Sequence, residues 1–308
     1  MSPTTPKSPT FAIVSAGAIG TYYGGRFALV GKDVRFLLRS DRERVRAQGI
    51  RLVERERTLA VQPVQVFASA EEIGPVDWVL ITLKTTANAS LAQLLPPLLH
   101  ADTKVVTLQN GLGNEEQVAS LVGAERTLGG LCFIATTRTA PGEVTCYHPG
   151  SITLGEFGRP VQKRTQVLAS LFKEAGVQCI PVDNLAEARW RKLIWNVPFN
   201  GLSIAAGGIT TDRILADPVL AREVRALMNE VAGAARQLGY DVPESFIRGQ
   251  IDVTGPMGAY APSSLVDYRA GRELEIEPIW GEPLRRAQAA GRPMPRLAAL
   301  YAKLRARV

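Results

Sequence analysis

An apolar run that ends in a glycine-rich turn and continues as a helix constrains this chain more than any other feature. The stretch FAIVSAGAIGTYYGGRFALVG, residues 11 to 31, reads as an apolar strand, a glycine turn and the start of a helix. Three more short apolar runs follow, DVRFLLR, VDWVLITLK and KVVTLQN, with helix-like stretches between several of them. Strands that are apolar along their whole length suit a parallel sheet covered on both faces. Their alternation with helices predicts a doubly wound α/β domain. The Gly- and Thr-rich piece GGLCFIATTRTAPGEVTCYHPGSITLGEF reads as a hairpin, and GVQCIPVDN as the last strand of this half.

The character changes near Asn184. From there the chain is mostly helical, with Leu, Ala and Arg at helical spacing. VLAREVRALMNEVAGAARQLG is an amphipathic helix closed by Gly239, and LEIEPIWGEPLRRAQAAG another that ends at Gly291. The expected domains are therefore a sheet domain over residues 10–183 and an all-helical domain over 184–308. Residues 1–9 are polar and Pro-rich, lack the pattern of a signal peptide, and are expected to be a disordered tail on a cytoplasmic protein. No run of 18 or more uninterrupted apolar residues exists, so no membrane span is expected. Three scattered cysteines without a CxxC pair, and only two histidines, point away from a metal site or a disulfide framework. The net charge of +7 comes from dispersed bases without interleaved aromatics. It suits a small anionic substrate or a phosphorylated cofactor better than a nucleic acid.

A dinucleotide turn uses three glycines: one for the bend, one for backbone approach to the pyrophosphate, one for helix–strand packing. Here those positions are Ser15, Gly17 and Gly20. Ser15 is expected to make the bend with negative φ, where its Cβ is unpenalised. The segment Ser15, Ala16, Gly17, Ala18, Ile19 and Gly20 is the candidate pyrophosphate cradle. Arg39 follows the second strand, where the adenosine ribose is read. An acid there favours NAD, whereas a guanidinium clasps the 2′-phosphate of NADP. Arg42 is a second candidate, and Asp41 is read as surface charge. Lys84 and Asn110 fall at the ends of the next two strands, where ligands of open sheets bind.

The later motifs are more specific. TLK at 82–84, LQNGLGNE at 108–115, HPGSITLGE at 148–156, RWRKLIWNVPFNGLSIAAG at 189–207 and PSSLVDYRAGRELEIEPIWG at 262–281 occur in order. Together they resemble the ketopantoate reductase family over nearly the whole chain. The resemblance implies an N-terminal Rossmann-type domain followed by a helical one, with NADPH-dependent reduction of 2-dehydropantoate to (R)-pantoate on the way to pantothenate and coenzyme A. It implies that Gly17, Ala18, Ile19, Gly20, Arg39, Lys84 and Asn110 hold NADP. It makes Lys192 the catalytic lysine, Glu275 the active-site glutamate, and Asn110, Asn196, Asn200 and Ser263 substrate-binding residues. The spacing agrees, because Lys192, Asn196 and Asn200 at i, i+4 and i+8 share one helix face. Glu275 would accept a bond from a substrate hydroxyl or orient Lys192. Pro198, between the asparagines, removes a backbone donor and is expected to kink the helix. The expected partner is a small 2-oxo acid; a homodimer is left open. Two other readings stand beside this one: a reductase of another 2-oxo acid, and a catalytically silent NADP-binding sensor.

Overall fold

The computed structural model describes residues 8–55 and 57–307; most of the expected N-terminal tail, residues 1–7, lies outside them. The strands, in chain order, are β1 (Thr10–Val14), β2 (Asp33–Leu37), β3 (Ile50–Glu54), β4 (Arg57–Val61), β5 (Gln65–Phe67), β6 (Trp78–Ile81), β7 (Lys104–Thr107), β8 (Thr127–Ala140), β9 (Glu143–Glu156) and β10 (Gln178–Pro181). They form one sheet, ordered β4-β3-β9-β8-β7-β6-β1-β2-β5, with β10 added alongside β9. The run β5-β2-β1-β6-β7-β8 is parallel throughout and has the strand order of a Rossmann fold. The chain order reverses beside β1, so the turn after β1 lies at the switch point where such sheets bind ligands.

Sequence alternation explains why this part is buried on both faces. Phe11 and Ile13 enter one apolar cluster and Ala12 and Val14 the other; Trp78 and Leu80 divide from Val79 and Ile81 in the same way. The helix Ala18–Leu29 packs on β1 through its glycines. A Cβ on Gly24 would lie 2.5 Å from the Phe36 ring, and one on Gly20 would lie 2.3 Å from the Ser15 carbonyl oxygen. The sheet is mixed rather than wholly parallel. β8 and β9 form the expected antiparallel hairpin, and β3–β4, a second hairpin, joins the sheet by laying β3 parallel to β9. β3 follows β2 in the chain but leaves its neighbourhood, a long-range pairing that local periodicity does not encode.

The described residues divide into two compact units. One holds the chain up to Gln109 and Asn114–Leu185; the other holds Asn110–Gly113 and the chain from Ala186 onward. The second unit is helical, with Leu185–Ala205 and Pro218–Gln237 its longest helices. Its core gathers Trp190, Ile194, Val197, Phe199, Leu227, Met228, Val231 and Trp280. The helix expected from LEIEPIWGEPLRRAQAAG is a π turn, Glu277–Gly281, leading into an α-helix, Glu282–Ala289. No described helix is long and apolar enough to cross a membrane.

Candidate active site

In the sheet unit the candidate residues gather at the carboxyl ends of the parallel strands. Gly17 caps the helix that begins at Ala18, and no acidic residue occupies its first turn. The free N–H groups of that turn and the positive end of the helix dipole suit an anion. A Cβ added at Gly17 would meet nothing within 4 Å, so its backbone is open to close approach.

Ser15 departs from expectation. Its φ is +76°, in the left-handed region, not negative. The bend is dictated by what it closes: the Ser15 carbonyl accepts a hydrogen bond from Thr82 Oγ1 at 2.5 Å, and Gly20 packs directly against the same oxygen. A left-handed L-residue costs about 1–2 kcal/mol. Ser15→Gly should therefore stabilise the fold by up to about 1 kcal/mol, since glycine's extra entropy in the unfolded chain offsets only part of that strain. It should change NADPH affinity less than about tenfold. Urea midpoints at unchanged slope, with an NADPH titration, check this; a lowered midpoint or a hundredfold tighter complex would sink it.

Arg39 is exposed in the loop that follows β2. Lys84 is exposed at the start of a 3₁₀ turn, Thr85–Ser90, beyond β6. The strand ends are braced by a buried amide network that sequence reasoning missed. Gln109 Nε2 donates to the Leu83 carbonyl at 3.0 Å and to Asn88 Oδ1 at 2.5 Å, while its Oε1 accepts from Thr107 Oγ1 at 2.9 Å. Asn88 in turn donates to Gln117 Oε1 at 2.8 Å. Gln109 thus joins the exits of β6 and β7; the only hint in the sequence was its place at a strand end.

In the helical unit, Lys192 lies on the helix Leu185–Ala205 and donates from Nζ to Asn110 Oδ1 at 2.9 Å. The residues around Asn110 are tied to this unit by Leu112 N–H, which donates to the Pro278 carbonyl at 2.9 Å. Gly111, at φ +84°, lies against the same peptide, where a Cβ would be 2.3 Å from the Pro278 oxygen. Asn196 is 8 % exposed, and its side-chain amide has no hydrogen-bond partner among the described residues. The amide is not among the fully buried polar atoms that lack a partner, so its remaining surface is open to water or a ligand. Asn200 Oδ1 accepts from Ser264 N–H at 2.9 Å and lies 3.5 Å from Ser263 Oγ. A backbone N–H must meet the oxygen, so the Asn200 amide is oriented with its NH₂ as the end left to donate. Glu275 is buried.

The helix runs unbroken through Pro198 to Ala205. Fully buried Val197 and Phe199 flank the proline, and Trp280 Nε1 donates to the Val197 carbonyl at 3.0 Å. Packing on both sides offsets the missing backbone donor. The Trp195 and Phe199 rings pack at a tilt of 32° with centroids 4.9 Å apart, and Tyr260 adjoins Trp195 at 6.1 Å. Burial pushes the Tyr260 phenol above its ordinary pKa. This aromatic group was also unanticipated; Trp195 and Phe199 each precede one of the two asparagines on the same helix.

Comparison with known proteins extends over both units. The family model for ketopantoate reductase PanE/ApbA matches residues 11–159, and that for its C-terminal domain matches residues 184–308. A 2-dehydropantoate 2-reductase of Nostoc sp. is 36% identical over 300 residues, covering 96% of this chain and 94% of the relative. The crystal structure of 2-dehydropantoate 2-reductase from Geobacter metallireducens matches with a TM-score of 0.94 at 40% identity, covering 97% of this chain and 100% of that one. The corresponding structure from Methylococcus capsulatus matches at 0.88 and 34% identity, with 96% of each chain covered. By sequence and by fold, through the sheet unit and the helical one alike, this chain belongs to the ketopantoate reductase family of NAD(P)-dependent oxidoreductases.

Proposed function

We propose that this protein reduces 2-dehydropantoate to (R)-pantoate with NADPH, Lys192 serving as general acid. Residues 10–183 are read as the NADP-binding domain and 184–308 as the substrate and catalytic domain. The observation that carries the reading is the helix face on which Lys192, bound to Asn110, stands one turn from the nearly buried, unpaired amide of Asn196. The residues fit the cofactor, because the helix at Ala18 offers free N–H groups with no carboxylate in its first turn, and Gly17 leaves its backbone open. When bound, the nicotinamide supplies hydride to the keto carbon.

The chain's own residues do the rest. Ser15, Ala16, Gly17, Ala18, Ile19 and Gly20 form the pyrophosphate cradle, and Lys84 and Asn110 hold the cofactor further along. Arg39 takes the adenosine 2′-phosphate, which selects NADPH. Lys192 stabilises the negative charge that grows on the keto oxygen and delivers its Nζ proton there. Asn110 orients that ammonium through its Oδ1. The NH₂ of Asn200, the amide of Asn196 and the Ser263 hydroxyl hold the substrate's carboxylate and hydroxyl, and Glu275 accepts from a substrate hydroxyl. Trp195 and Tyr260, backed by the buried Phe199 ring, supply an apolar flank for a branched carbon skeleton.

The test is loss of NADPH absorbance on adding 2-dehydropantoate, run beside a panel of other 2-oxo acids. Turnover at least tenfold more efficient with 2-dehydropantoate supports the proposal. Preference for another acid removes the named substrate, and NADPH binding without oxidation by any of them removes the reductase reading.

A further inference from the structure

The loop after β2 holds a carboxylate close to the position read as the 2′-phosphate site. Asp41 follows Arg39 by two residues and has φ +62°, in the left-handed region. An acid at the end of this strand ordinarily binds a free 2′-hydroxyl and repels a 2′-phosphate. Here Asp41 Oδ2 is ion-paired with Nη2 of Arg138, 97 residues further along the chain. Ser40 Oγ donates to the same oxygen at 3.3 Å.

Arg138 lies near the tip of the β8–β9 hairpin, and that tip is docked beside the same segment. The Gly142 carbonyl accepts from Arg51 N–H at 2.8 Å, and Glu143 pairs with Arg51 at 3.2 Å. A Cβ on Gly142, at φ +71°, would lie 2.8 Å from the Gly49 carbonyl. Glu43, the other acid of the loop and of the short helix after it, pairs with Arg42 at 3.2 Å and Arg46 at 3.1 Å. Both carboxylates between residues 39 and 46 thus have guanidinium partners. Arg39 itself has no ion pair among the described residues.

We propose that Arg138 is a positioning residue for cofactor selection: by pairing with Asp41 it cancels the negative charge beside Arg39 and keeps the end of β2 selective for a 2′-phosphorylated nucleotide. The inference rests on the reading of Arg39 given above. Arg138 lies at the far end of β8, beyond the residues that pair with β7, so cofactor choice is shared between two distant parts of the sequence. With Arg138 neutralised, Asp41 regains an unmasked charge next to the phosphate. An exposed pair of unit charges is worth up to about fivefold in affinity, and a phosphate, which itself carries nearly two negative charges, raises that to about tenfold.

Calorimetric titrations of NADPH and NADH at low ionic strength test this independently of the substrate, on the wild type, R138Q, R138K, D41N and the D41N/R138Q double variant. R138Q is expected to weaken NADPH about five- to tenfold and leave NADH within twofold. R138K should keep the NADPH preference. The double variant should return NADPH affinity to within about twofold of wild type, because no carboxylate remains to be masked. Equal losses for both cofactors in R138Q, no loss at all, or no recovery in the double variant would overturn the proposal, since a pair that merely braces the loop behaves in those ways. If R138Q does not fold, the R138K and double variants still decide it. A wild type that prefers NADH sinks the reading of Arg39, whereas an NADPH preference that R138Q leaves undiminished sinks only the assignment of Arg138.

Discussion

Lys192→Ala is expected to lower kcat by about 10²- to 10⁴-fold while leaving NADPH affinity within about threefold of wild type. The side chain reaches Asn110 Oδ1 at 2.9 Å from a helix held on its far side by buried Leu193, Ile194 and Val197. Truncation removes an ammonium without disturbing those contacts, so the fold should persist. The loss should fall on kcat, because negative charge on the keto oxygen develops only as hydride arrives; interactions made only in the transition state are read there. Lys192→Arg keeps the charge but changes its shape and holds its proton far more tightly, so it should recover little. Steady-state kinetics with 2-dehydropantoate, alongside an NADPH titration, makes the check. Turnover within threefold of wild type for the alanine variant would remove Lys192 as the acid.

Arg39→Ala is expected to weaken NADPH by about ten- to a hundredfold and to leave NADH nearly unchanged. A charge-assisted hydrogen-bonded pair is worth roughly 1.5–3 kcal/mol, which is that range of affinity. The effect should shrink as salt rises, because Arg39 is exposed and its field is screened. Both cofactors share the pyrophosphate and nicotinamide contacts, so only the 2′-phosphate separates them. Equal losses for NADPH and NADH would mean that Arg39 shapes the loop rather than reading the phosphate.

Much of the fold was legible because its signals are local. Phe11, Ala12, Ile13 and Val14 are all apolar, and a strand of that kind requires cover on both faces. The spacing of Lys192, Asn196 and Asn200 needs only a helix to place them on one face, and the helix Leu185–Ala205 provides it. Gly20 and Gly24 announce a close helix–strand approach, and the atoms of Ser15 and Phe36 occupy the space that a side chain would need. Motif order identified the family because such motifs are themselves short and contiguous.

Other features depend on partners distant in the sequence, and periodicity is silent about those. Ser15 takes a left-handed φ because Thr82 and Gly20 converge on its carbonyl, a constraint from 67 residues away that outweighs the cost of a Cβ. β3 leaves the strand that precedes it to pair in parallel with β9, and the antiparallel β3–β4 and β8–β9 pairs make the sheet mixed. Asn110–Gly113 follow a strand yet cluster with the helical unit, through Pro278 and Lys192. The pairing of Asp41 with Arg138 is equally invisible along the chain. The sequence by itself determined which segments are strands or helices and which residue types recur on one face, since backbone geometry sets those periods. The tertiary structure decided the sign of φ at Ser15, the neighbours of β3 and the partners of Lys192 and Asp41, because each is set by groups that only folding brings within bonding distance.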